Sequence, residues 1–287
     1  MTPEMRARFG PFREEAAAQG IPADDVERWL AMARPCTTLT PAGDEAGPVA
    51  GRFGGPLLLP ADIPDPAHPF VASVDLSALP ADATDLPLPP DGHLLFFALP
   101  EPGDGRPVGS VVHVPAGAAV TRRDTRSWNA RDNDEYHELF ASYPQGPLRA
   151  SVDVSLPYHQ FVVPPGEREA VYLPGHPHCS ELVEIWENTQ DGIAPAGPLQ
   201  IGGYADEEAV EFDPVDIAAS TAADAVEAGR WDGPVPAGAA DWVLLADWYA
   251  GRHVRNREGS TVHWVIQRED LAARRFERVF TTVFWNP

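Results

Sequence analysis

The densest run of chemistry-bearing side chains is PGHPHCSELVE, residues 174–184. His176, His178, Cys179 and Glu181 are all metal-ligand types, and Cys179 stands just ahead of an expected helix, whose N-terminus favours a thiolate. A zinc site wants four ligands at recognisable spacing, and H-x-H-C is not such a pattern; a further ligand such as His159 would have to come from elsewhere. Functional, the cluster would make a metal- or thiol-dependent enzyme; otherwise it is a surface loop. Serine-hydrolase chemistry lacks its signature, because there is no G-x-S-x-G and Ser180 has no flanking glycines.

Two aspartates suggest binding rather than catalysis. Asp75 ends the apolar run FVASVD (70–75) and Asp247 ends WVLLAD (242–247). Each run follows a glycine pair, Gly54-Gly55 after GRF and Gly202-Gly203 after LQI. If the two stretches are copies of one module, the acids are equivalent and can face one cleft between the halves, with Arg52 and His263 beside it as further ligand-binding residues; a pocket there is also the basis of an alternative reading, a small-molecule sensor. The competing reading is that both acids cap turns. Arg252, Arg255 and Arg257 form a basic loop suited to internal ion pairs or to gripping an anion. The acidic run DEEAVEFD (206–213) reads as a solvated loop.

The elements that must position these groups are short and many, since 32 prolines are scattered between apolar runs. Residues 1–35 read as a helical cap: Pro11 and Gly20 bracket one helix, and Val26, Trp29, Leu30 and Ala33 form one face of a second, ended by Arg34-Pro35. Strands are expected at 36–40, 70–76, after the turn Asp91-Gly92, at 109–115 and at 148–157. Helices are expected at 131–142, with Asp132 or Asn133 as cap, and at 180–192, capped by Ser180. The best-signalled helix is DPVDIAASTAADAVEAGR (213–230), with Asp213 as N-cap, Pro214 in its first turn and Gly229 at its end. Strands 242–247, 261–266 and 278–285 and a short helix near 270–275 close the chain. The division is a cap (1–35), a first unit (36–115), a connecting region (116–197) and a second unit (198–287), all in one domain, 1–287. The fold class is α+β, with mixed, largely antiparallel sheets from an internal duplication.

Composition narrows the function. The net charge is −22, from 43 acids against 21 bases, which argues against nucleic acid and suits a basic protein partner. All 21 bases are arginine, so a P-loop NTPase and a pyridoxal enzyme, which both need lysine, are excluded. Two cysteines, Cys36 and Cys179, give no disulfide framework. No signal-peptide core and no 18-residue apolar run is present, so a cytoplasmic protein without membrane contact is the default. No cofactor or metal is called for.

These residues resemble the YwqG-like family of uncharacterised bacterial proteins. The likeness is carried by GRFGGPLLLP (51–60), PFVASVDLSALP (69–80), PPDGHLLFFA (89–98), SLP (155–157), QIGGY (200–204), WVLLAD (242–247) and VHWVIQREDLAARRFERV (262–279). It implies an α+β fold with an internal duplication and no established catalytic residue. Some relatives sit among toxin–immunity loci, which implies a non-catalytic binder that masks a toxin. The chain departs from the family where an acidic or amide-bearing strand is typical, with Ser73 before Val74.

Overall fold

Runs rich in β-branched and aromatic residues become strands, and the glycines and prolines between them become turns. The computed structural model describes residues 2–43, 47–80, 82–123, 134–163, 169–205, 212–234 and 241–286. In chain order the strands are β1 (Arg34–Pro41), β2 (Val49–Phe53), β3 (Leu58–Pro60), β4 (Phe70–Asp75), β5 (His93–Ala98), β6 (Gly109–Val114) and β7 (Val120–Arg122). They continue as β8 (Gly146–Ser155), β9 (Phe161–Val162), β10 (Val171–Tyr172), β11 (Leu199–Ile201), β12 (Trp242–Tyr249), β13 (Ser260–Gln267) and β14 (Phe280–Trp285). The helices are α1 (Pro3–Ala7), α2 (Gly10–Ala18), α3 (Ala23–Leu30), α4 (Asp134–Ala141), α5 (Cys179–Thr189), α6 (Pro214–Glu227) and α7 (Arg268–Ala272).

Ten strands form one sheet in the order β14-β13-β12-β11-β1-β8-β2-β4-β5-β6, antiparallel at every pairing. Two four-stranded meanders, β2-β4-β5-β6 and β11-β12-β13-β14, therefore flank a central β1–β8 pair. The sheet curls until its ends nearly meet, where Val108 N–H donates to Thr281 O at 3.0 Å. Its inner face is filled rather than hollow: Leu39, Phe53, Val74, Phe96, Leu148, Ile201, Trp248 and Trp264 come from eight different strands and none exceeds 1% exposure. Phe96 meets Trp264 edge-on at 5.1 Å, and the Trp264 indole N–H donates to Phe97 O at 3.1 Å.

The outer face is covered in patches. Helix α6 lays its alanine face (Ala218, Ala219, Ala222, Ala225) on Trp242, Leu244, Val265 and Phe280. Small side chains let the helix sit close to the large rings beneath it. The β3–β7 pair and its neighbours cover Leu95, Phe97 and Phe70 of the first meander. Helices α1, α2 and α3 pack with α5 around Val154 and Leu156 at the end of β8, with Phe12, Trp29 and Ile185 wholly buried.

Several expected boundaries shift. Helix α3 ends at Leu30, and Arg34-Pro35 already belongs to β1. Helix α5 starts at Cys179 with His178 as its N-cap, and the Ser180 hydroxyl instead donates to Gln160 Oε1 at 2.5 Å. Asp213 caps α6 as expected, its carboxylate accepting from Val215 N–H at 2.9 Å. The expected cap of the 131–142 helix, Asp132 or Asn133, lies outside the described residues.

Trp264→Ala should cost about 3–5 kcal/mol through the void it leaves in the filled interior. Trp264→Phe, which loses the bond to Phe97 O and some volume, should cost less, about 1–2 kcal/mol. Urea unfolding midpoints of both variants against the parent check the ranking; equal costs would mean that the interior is not tightly packed there.

Candidate functional site

Alternation along β2, β4 and β5 aims Arg52, Ser73, Asp75 and His93 outward, because residues paired across an antiparallel ladder share a face. Arg52 pairs with Ser73 and Asp75 with His93. Together with Val49, Gly51 and Pro147 they line an open groove of about 400 Å³. The glycine pair shapes its end: Gly54 and Gly55 have φ of 56° and 88°, and a β-carbon on Gly55 would collide with the Arg52 guanidinium lying over it. The Gly55 N–H donates to Gln145 Oε1 at 3.1 Å.

Asp75 does cap a turn: its Oδ1 accepts from Ser77 N–H at 3.0 Å and Ser77 O–H at 2.7 Å. His93 Nδ1 lies 3.9 Å from the same oxygen. Arg52 forms no ion pair among the described residues, so a cation and a half-used carboxylate share one strip without closing on each other.

Asp247 and His263 sit elsewhere. They pair across β12 and β13 in a polar row on the second meander's outer face, continuing through Gln200 on one side and Thr282 on the other. Asp247 is 5% and His263 1% exposed. Burial pushes the His263 pKa down to about 4, and its Nε2 has no hydrogen-bond partner among the described residues. The four residues expected around one cleft thus form two pairs. Between Asp247 and Arg52 stand β11, β1 and β8, so four strand spacings, about 19 Å, separate them.

The equivalence of Asp75 and Asp247 also fails on register. Gly54 N–H donates to Val71 O and Gly202 N–H to Leu245 O, and each ladder skips that acceptor residue in an irregularity. Counted from these points, Asp247 occupies the position of Ser73, and Asp75 that of Tyr249. The two acids match by residue type and not by place.

The cysteine cluster becomes a clasp between helices. His178 Nδ1 lies 2.7 Å from Asp25 Oδ2 of α3, and His176 packs edge-on against Trp29 at 5.5 Å. Cys179 is 2% exposed, its thiol directed to Gln160 O at 3.7 Å. Among the described residues no three His, Cys, Asp or Glu side chains are arranged to hold a metal ion. In the basic loop, Arg257 pairs with Glu101 and Arg255 with Glu138. Most of the acidic run 206–213 lies outside the described residues.

Sequence reasoning missed one charged cluster. His159 Nδ1 stands 3.8 Å from Asp213 Oδ2, near Tyr204, over whose ring the Arg34 guanidinium lies at 4.2 Å. Burial, with the Asp213 charge, pushes the Asp216 carboxyl up to about 6. Burial lowers the His159 pKa against the pull of Asp213. Only the N-cap signal at Asp213 hinted at this group, because Arg34, His159 and Tyr204 arrive from three distant parts of the chain.

The profile of a family described as a domain of unknown function (DUF1963) matches residues 51–284, which run from within β2 to within β14 and leave out α1–α3 and β1. No curated protein matches the chain.

Asp216 and His263 pull stability in opposite directions with pH. The folded chain keeps the Asp216 proton up to about 6 while the unfolded chain has released it, so this group lowers stability as pH rises from about 4 to 6. His263 stays neutral down to about 4 while the unfolded chain takes up a proton below 6.5, so this group lowers stability as pH falls through that window. Asp216→Asn should therefore be more stable than the parent at pH 7 and lose stability more steeply on acidification. Urea unfolding at several pH values checks this; an unchanged stability at pH 7 would mean that Asp216 ionises freely.

Proposed function

We propose, for a chain that belongs to the DUF1963 family, that it is a non-catalytic binding protein whose anchor is the open strip of Arg52, Ser73, Asp75 and His93. The supporting observation is the pair of opposite charges held on one rigid strip without neutralising each other. An incoming protein segment can give Arg52 an acceptor and Asp75 a cation, and half-exposed Val49 and exposed Pro147 provide an apolar rim. A groove of this size is an anchor within a larger interface rather than the whole of one.

The partner is a basic protein, in the manner of an immunity protein masking a secreted toxin. A net charge of −22 speeds encounter with such a partner by steering, and salt screens that effect. The protein acts in the bacterial cytoplasm, which accords with the lack, among the described residues, of a helix long and apolar enough to cross a membrane. The metal- or thiol-dependent alternative has less support, since His178 and Cys179 are engaged in holding α5 to its surroundings.

We read the chain as YwqG-like and as an internal duplication. Support for the duplication comes from the repeated glycine pair, the matching ladder irregularities at Val71 and Leu245, and the 3-10 turns that begin at Leu76 and Ala250. On this reading α1–α3 form a cap added to the duplicated unit.

Affinity capture with the tagged chain, followed by surface plasmon resonance with the basic protein retained, tests the binding site. Arg52→Ala combined with Asp75→Asn should weaken the complex at least about tenfold, and the association rate should drop as salt rises. Equal affinity of the double variant would place the contact surface elsewhere.

A further inference from the structure

The two ends of the sheet, β6 and β14, come together where Val108 N–H meets Thr281 O at 3.0 Å. Beside this seam lies a cavity of about 220 Å³, walled by the 102–108 loop, by α6 through Pro214, Ile217 and Thr221, and by Thr282 and Phe284 of β14. His263 lines it from β13, 1% exposed and with Nε2 unpartnered among the described residues. A polar atom buried without a partner costs about 1–3 kcal/mol, a penalty that a suitably placed ligand group removes.

We propose that the seam cavity binds a small, uncharged, largely apolar molecule whose single hydroxyl or carbonyl group bonds to His263 Nε2. Size and lining support the class. An apolar cavity of about 150 Å³ is large enough to take up benzene; this one is larger, and half of its lining residues are proline, valine, isoleucine or phenylalanine, with glycine and threonine making up most of the rest. The one buried polar group facing it carries no charge at neutral pH, because burial holds the imidazole neutral down to about 4. A charged ligand would lose part of its hydration there and find no buried counter-ion among the lining residues. Arg106 stands at the mouth with a side chain 65% exposed and 3.7 Å from Asp104, so its charge has a counter-ion outside. The site lies at the seam between the two meanders, shares no lining residue with the strip of Arg52 and Asp75, and does not depend on the partner-binding reading.

Isothermal titration of the full chain with phenol, toluene and benzoate tests this. Phenol should bind at a single site, with toluene about fivefold weaker for want of the hydrogen bond and benzoate weaker than both. Ile217→Trp, at a position on α6 that is 43% exposed, should fill the cavity and abolish phenol binding while leaving the unfolding midpoint in place. In His263→Phe the affinity for phenol should fall to that for toluene; if that variant does not fold, Ile217→Trp decides. Absence of saturable phenol binding, equal affinity for phenol and toluene, tightest binding by benzoate, or phenol binding that survives Ile217→Trp would each overturn the assignment.

Discussion

Two aromatic contacts, Phe96 with Trp264 at 5.1 Å and Phe53 with Trp248 at 6.5 Å, tie the inner face of one meander to that of the other. Each such ring removes about 150–250 Å² from water, worth roughly 4–6 kcal/mol apiece. The rest of the filled interior and the Trp264 bond to Phe97 O add to this hold on a sheet of ten strands with edges that barely touch. With large rings on the inner face, the grooved surface among the described residues is the outer face. Both grooves described above lie there, on strands whose inner faces are anchored.

On that outer face the meanders differ at matching places. Where the first has Arg52, Ser73 and Leu95, the second has Gln200, Asp247 and His263. The first is open at its polar end and sealed over Leu95 by the β3–β7 side. In the second, Gln200 turns its amide onto its own loop, bonding Gly202 O at 2.9 Å and Tyr204 O at 2.8 Å, and the acid and the histidine are buried. One frame thus presents exposed charge on one side and enclosed neutral polarity on the other.

Much of this was legible in local pattern. The alternating and continuous apolar runs gave six of the eight meander strands but not the short β2 and β11, and Asp213, Pro214 and Gly229 gave α6 within three residues at each end. The glycine pairs stood out because φ of 56–88° at two successive positions favours residues without a β-carbon. What stayed hidden depends on which strand lies beside which. Nothing local says that β1 pairs with β8 and β11 rather than with β2, yet this order is what separates Arg52 from Asp247. Asp75 lies four residues after the irregularity at Val71 and Asp247 only two after the one at Leu245, an offset that residue type cannot show, so two aspartates looked equivalent when they were not. The histidines and cysteine at 176–179 attracted attention as reactive types, but their surroundings, Asp25, Trp29 and Gln160, come from other segments.

The central position of β1 has a consequence for synthesis. Residues 34–41 leave the ribosome early, but their partners are residues 146–155 and 199–201. The first meander can fold against itself while β1 still has both ladder edges unpaired, a template for wrong pairing with another nascent chain. Its two prolines, Pro35 and Pro41, withhold backbone donors near either end of that strand and so blunt the exposed edges during the wait. The ladders of β1 thus close late and through contacts distant in sequence, after the first meander has had time to form.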